Sequence, residues 1–97
     1  MNIVDIKDGM RRIDAEGEIE ETGEPREVNL KDGTTAKVMD VTLKDETGSI
    51  KLTLWNEQTE SIEKGMRVRI TNGYSNSFRG EVRLNVGRYG KFEILES

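Results

Sequence analysis

Few side chains in this sequence can do more than pack or carry charge, and those that can are aromatic. Trp55 ends a strictly alternating segment in which Ile50, Leu52 and Leu54 claim one face, so it falls on the other face beside Lys51 and Thr53. Tyr74 and Phe78 stand among Gly73, Ser75, Asn76 and Ser77, a poor setting for core packing. Three rings left in solvent are platforms for flat, unpaired nucleobases, because every base offers a π-face. Cations stand where the phosphates of such a strand would run. Arg79 directly follows Phe78 and can reach a phosphate or lay its guanidinium plane on a base. Lys51 shares the face of Trp55, while Arg26 in the first long loop and Arg83 on the fifth strand are weaker candidates. Thr53 reads first as a strand-favouring β-branched residue.

Other chemistry is poorly provided for. The 97 residues include no cysteine and no histidine, which excludes disulfides, thiol nucleophiles, imidazole triads and thiolate or imidazole metal sites. The carboxylates lie on alternating outward positions and read as solubilising charge. Asp45 and Glu46 could touch a cation, but a tight hairpin turn explains them more simply. Gly87–Lys91 lacks the spacing of a phosphate-binding loop. The expectation is a binding domain, not an enzyme, with no cofactor and no metal. No secretory signal opens the sequence, and no apolar run approaches the ~20 residues of a membrane span. A soluble, intracellular (cytoplasmic) setting without a membrane partner is therefore expected.

The net charge of −4 seems to argue against a polyanionic partner, but its distribution is uneven. Residues 1–63 sum to −8, whereas residues 64–91 carry Lys64, Arg67, Arg69, Arg79, Arg83, Arg88 and Lys91 against Glu81 alone, or +6. Local field decides where a polyanion approaches.

The elements that must position these residues are short strands between turn signals. Met10–Glu21 alternates Ile13, Ala15, Gly17 and Ile19 against charged residues, and Gly17 on the inward side permits a sharp bend. Thr22–Thr34, with Pro25 and Asp32-Gly33, is a long loop or an extended hairpin. Thr35–Lys44 is a second strand whose apolar parity slips between Ala36/Val38 and Met39/Val41/Leu43, which a β-bulge would reconcile. Ser49–Trp55 is the third and clearest strand. Asn56–Lys64 breaks the alternation and fits one or two helical turns before Gly65. Val68 and Ile70 mark a fourth strand, ending in the turn-rich stretch around Tyr74. Val82, Leu84 and Val86 mark a fifth. Tyr89, Phe92 and Ile94 are expected to pack at the barrel end, and Ile3, Val4 and Ile6 to cover its bottom. Five strands with a short helix between strands 3 and 4 is the layout of an all-β OB-fold Greek-key barrel; an SH3-like barrel would not place its helix there. At this length a single domain, 1–97, is expected.

Residues 45–80, DETGSIKLTLWNEQTESIEKGMRVRITNGYSNSFRG, resemble the centre of archaeal single-stranded DNA-binding proteins and of the OB domains of replication protein A. The matching features are the Asp-Glu-Thr-Gly turn, the strand ending in Trp55, Ile62-x-x-Gly65, and Tyr74 and Phe78 four residues apart before Gly80. Asp5–Met10 is similar to the segment leading into that family's first strand. The resemblance implies that Trp55, on the third strand, and Tyr74 and Phe78, near the loop joining strands 4 and 5, stack on successive bases of single-stranded DNA without strong sequence preference. It further implies a role in replication, recombination or repair, alongside other proteins of those processes or further OB domains. The sequence departs from the family in lacking a glycine-rich, acidic-tipped tail and a zinc-binding segment. Both departures are compatible with one OB unit of a longer multi-domain replication protein A chain. Two rival functions use the same fold: an OB protein-interaction or assembly subunit, suggested by the acidic outer face of the first strand, and an RNA-binding OB module.

Overall fold

The computed structural model describes residues 1–96, so the last residue of the expected 1–97 domain lies outside the described residues. Seven strands form: β1 (Arg11–Thr22), β2 (Arg26–Asn29), β3 (Thr35–Lys44), β4 (Ser49–Trp55), β5 (Arg67–Phe78), β6 (Glu81–Asn85) and β7 (Lys91–Glu96). The five strands read from sequence correspond to β1, β3, β4, β5 and β6. These five close into a ring in the order β1-β3-β4-β6-β5, and β5 pairs back onto β1. β4 and β6 run parallel, while the other ring pairs are antiparallel. This is the Greek-key barrel that the turn spacing implied. β2 folds onto β3 as a hairpin, resolving the long first loop, and β7 adds to the free side of β5.

Alternation puts the core inside the ring. Ile13, Ala15 and Ile19 of β1, Met39, Val41 and Leu43 of β3, Ile50, Leu52 and Leu54 of β4, Val68 and Ile70 of β5, and Leu84 of β6 pack together there. Ile3, in a single 3₁₀ turn at Ile3–Asp5, and Ile6 join that cluster, as the opening residues implied, whereas Val4 stays exposed. Gly17 marks a close approach between β1 and β3: a β-carbon there would lie 2.5 Å from the carbonyl oxygen of Lys44.

Three local expectations are corrected. The parity slip in β3 is not absorbed by a bulge on that strand, since the β3–β4 register runs unbroken from Val38↔Trp55 to Lys44↔Ser49. Val38 keeps the outer-face parity of Asp40 and Thr42. It is buried there in a cross-strand row between Arg26 and Trp55, and Ala36 pairs with Val28. The bulge lies on β1 instead, opposite β3 between Ile19 and Glu21. The expected short helix is one 3₁₀ turn, Asn56–Thr59, closed by the Thr59 hydroxyl on the Asn56 carbonyl at 2.6 Å. Finally, Asn72-Gly73 does not end the fourth strand. β5 runs through it for 12 residues, because β1 stays paired opposite Gly73, β6 pairs from Tyr74 onward and Asn72 takes up the bend at φ +56°.

Candidate nucleic-acid interface

One outer sheet face gathers most of the side chains singled out from sequence. In a sheet, residues directly opposite each other present their side chains to the same side. Cross-strand rows therefore run Asp40–Thr53–Asn85–Tyr74 and Thr42–Lys51–Arg83–Asn76 across β3, β4, β6 and β5. Trp55 lies one step beyond the first row and Phe78, opposite Glu81, one step beyond the second. Trp55, Tyr74 and Phe78 are 41%, 42% and 55% exposed, so all three rings are presented to solvent on one face. Tyr74 and Phe78 are strand residues of β5, and Phe78 directly precedes the turn into β6, near the connecting loop as expected.

Local structure explains each ring's placement. Trp55 ends β4 where the Asn56–Thr59 turn begins, and its backbone N–H donates to Gln58 Oε1 at 3.1 Å. Asn56 Oδ1 accepts the backbone N–H of Lys37 at 3.0 Å, pinning that turn to β3. Tyr74 lies over Gly87, where a β-carbon would stand 2.8 Å from its ring. Trp55, Tyr74 and Arg88 line a shared concavity of ≈ 330 Å³. Phe78 precedes a two-residue hairpin turn in which Arg79 and Gly80 both take positive φ, +53° and +81°. Two consecutive positive-φ residues match the twist of the flanking strands. The turn keeps the Arg79 guanidinium 5.2 Å from the centre of the Phe78 ring, and Arg83 stands at the same distance.

The charges on this face are interlocked. Asp40 Oδ2 lies 3.5 Å from Arg26 and 3.4 Å from Arg83, and its Oδ1 accepts the Thr53 hydroxyl at 3.1 Å. Arg26 thus reaches the face from β2 through Asp40. Lys51 Nζ donates to Thr42 Oγ1 at 3.1 Å, and Asn85 Nδ2 to Asn76 Oδ1 at 3.2 Å. Arg83 Nε lies 3.4 Å from Glu81 Oε1, an ion pair that lacks the geometry of a hydrogen bond. The positive stretch at 64–91 is therefore not one open field. Arg67 and Arg69 stand at the β1–β5 seam, where both pair with Glu16 at 3.2 and 3.1 Å and hold its carboxyl below its ordinary value, Arg69 more strongly.

Sequence reasoning missed several residues. Asp40, Asn76 and Asn85 complete the face, but β-strand polar residues give no local sign of their neighbours. Tyr89 was expected to pack and does not: it is 82% exposed, because Gly87 at φ +77° turns the chain outward before β7. An aromatic two residues after one glycine and one before another has no strand to carry it inward, which was the available signal. Phe92 packs half-buried against the core as expected, while Ile94 stays 40% exposed. Asp45 is a turn residue. Its Oδ1 accepts the Thr47 hydroxyl and the N–H groups of Thr47 and Gly48, and its Oδ2 the N–H of Ile3. Among the described residues no group of three or more potential ligands could hold a metal ion. Among the described residues no helix is long and apolar enough to cross a membrane.

This geometry has relatives. A family model for single-stranded DNA binding protein Ssb-like OB folds matches residues 6–94. The chain is 34% identical over 92 residues to the single-stranded DNA binding protein Ssb of Saccharolobus solfataricus, covering 95% of this chain and 60% of that protein. It is 35% identical over 79 residues to replication factor A of Methanothermobacter thermautotrophicus, covering 78% of this chain and 10% of that one. The solution structure of the second OB-fold domain of replication protein A from Methanococcus maripaludis superposes with a TM-score of 0.81 at 26% identity, over 100% of this chain and 95% of that one. The chain thus spans less than two thirds of the length of either curated relative. With the match running through every strand of the ring, the chain belongs to the Ssb-like OB-fold family of single-stranded DNA binding proteins.

Proposed function

We propose that this domain binds single-stranded DNA with little sequence preference, stacking bases on Trp55, Tyr74 and Phe78 and meeting phosphates with Lys51, Arg79, Arg83 and Arg26. The observation that carries the reading is the presence of three solvent-presented rings on one sheet face, with cationic and amide side chains between them. A single strand exposes base faces that a duplex hides, and each stacked base contributes ~1–3 kcal/mol. Three platforms, after ordering costs, support micromolar or somewhat tighter affinity, on the order of −8 kcal/mol. The role is binding rather than catalysis. The match to a tenth of a replication factor A supports the view that such a domain works beside further OB domains in replication or repair inside the cell.

Titrating fluorescein-labelled oligo-dT and following its anisotropy tests this. Trp55→Ala should weaken binding by ~1–3 kcal/mol. If three phosphates are met, log K should fall against log salt with a slope of about −2. An anisotropy that stays flat at tens of micromolar protein would refute the proposal. Oligo-dU and its ribose counterpart in parallel separate DNA from RNA binding, since only the latter carries the 2′-hydroxyl.

A further inference from the structure

We infer that a second subsite, built by Tyr89, Arg88, Arg11 and Arg12 on the far side of Tyr74, takes an additional nucleotide and lengthens the DNA track beyond the three-ring face. This rests on the single-stranded DNA reading and extends it to residues outside the three-ring face.

Tyr74 and Gly87 form a ridge between two concavities. One holds Trp55; the other, of ≈ 570 Å³, is bounded by Arg11, Arg12, Asn72, Arg88 and Tyr89. Tyr74, Val86, Gly87 and Arg88 line both, so a strand leaving the Trp55 side passes directly over the ridge into the second hollow. The second hollow is lined by three arginines and no carboxylate. Among the described residues, Arg11, Arg12 and Arg88 pair with no acid, whereas Arg26, Arg67, Arg69 and Arg83 all do. Unpaired guanidiniums around a concavity suit a phosphate, which they can grip bidentately.

The aromatic platform is present as well. Tyr89 is the most exposed large hydrophobic residue among those described, with the Arg88 guanidinium 6.0 Å from its ring centre. Its backbone is tied down: Asn72 Nδ2 donates to the Tyr89 carbonyl at 3.3 Å. The backbone beneath is strained where it shapes the hollow. Arg12 and Asn72 both take left-handed φ, +55° and +56°, at two successive bulges in the β1–β5 pairing. Such a conformation costs Arg12 about 1 kcal/mol or more, and Asn72 less because asparagine tolerates it, and bulges re-aim side chains. Here they sit on the rim of the hollow with Arg12.

The test is a ladder of fluorescein-labelled oligo-dT from 3 to 15 nucleotides, read by anisotropy, with wild-type protein, Tyr89→Ala and the double variant Arg11→Ala/Arg12→Gln, two arginines that line the second hollow alone. These side chains are exposed, so matched thermal melts should establish equal folding. The subsite predicts that both variants bind the shortest oligonucleotides within about twofold of wild type. On the longer ones, Tyr89→Ala should be roughly five- to tenfold weaker, the low end of one lost stack. The double variant should shallow the salt slope by about 0.7 for each phosphate lost. Variants equal to wild type at every length, while Trp55→Ala is impaired, would overturn the subsite and leave the three-ring reading intact. A wild-type protein that binds no oligonucleotide would overturn both.

Discussion

Asp40 places a negative charge in the middle of a face proposed to hold a polyanion, and replacing it is a sharp test of how that face works. Asp40→Asn keeps an oxygen for the Thr53 hydroxyl but removes the charge that engages Arg26 at 3.5 Å and Arg83 at 3.4 Å. At ~8 Å, in an effective dielectric of 40–80, one unit charge acts on another with about 0.5–1 kcal/mol. Two phosphates passing over the face would therefore be relieved of about 1–2 kcal/mol, a gain of roughly five- to thirtyfold in affinity at low salt. At ~0.15 M salt, screening over a Debye length of ~8 Å should reduce the gain to about two- to threefold. The freed guanidiniums should also steepen the salt slope by about 0.7 for each new phosphate contact. The variant should be somewhat less stable, because Asp40 and Arg83 are each only about a quarter exposed and Arg83 loses its counter-charge. Anisotropy titrations of oligo-dT at 20 and 200 mM salt would measure this. Equal or weaker binding by a folded Asp40→Asn protein at low salt would refute the electrostatic reasoning. Asp40 would then act by holding Arg26 and Arg83 in place.

Three further outcomes follow from the packing. Gly87→Ala should cost about 1 kcal/mol or more for a side chain at φ +77° and push the Tyr74 ring aside, weakening oligo-dT binding while Trp55 fluorescence still responds; a variant with unchanged affinity and stability would contradict the close contact. Gly17→Ala should lose about 1–3 kcal/mol, because its β-carbon would meet backbone rather than a flexible side chain, and Tm should drop by at least ~4 °C; an unchanged melt would refute the tight β1–β3 approach. Acid should unfold the domain through its hydrogen-bonded carboxylates. Burial alone would raise the Asp45 carboxyl, but the Thr47 hydroxyl and the N–H groups of Ile3, Thr47 and Gly48 together hold it below its ordinary value. A depressed carboxylate stabilises the fold above the ordinary range near ~4, and that contribution is lost as pH falls through the folded value. Urea midpoints from pH 7 to 2.5 should show wild type and Asp45→Asn converging in acid, and a constant gap would count against this.

The sequence carried the ring of strands well because period-2 alternation is a direct image of one buried face. Ile50, Leu52 and Leu54 could only point inward together, which forced Trp55 outward. It carried the face less well where pairing overrode local preference. Asn72-Gly73 looks like a turn when read alone, yet β5 continues through it, with Ile13 of β1 opposite Gly73, β7 pairing as far as Thr71 and β6 from Tyr74. Val38 looks like an inward residue, yet it is buried on the outer side in the row between Arg26 and Trp55. The arginines were legible as a cluster, but not their sorting into those held by Glu16 or Asp40 and those left free. That sorting depends on contacts such as Arg67 with Glu16, which lie far apart in the chain and leave no local pattern.

The seam that closes the ring joins Ile13 to Gly73, roughly sixty residues apart in sequence, and the β4–β6 pairing is parallel. Neither can form from neighbouring segments as a hairpin does, so much of the loop-closure entropy must be spent before the barrel is rewarded with its core. Folding in milliseconds to seconds rather than microseconds is expected of such a topology. The hairpins β2–β3, β3–β4 and β5–β6 are local enough to form early. The two left-handed residues in the seam, Arg12 and Asn72, would then reach their strained backbone only in the last, ring-sealing event.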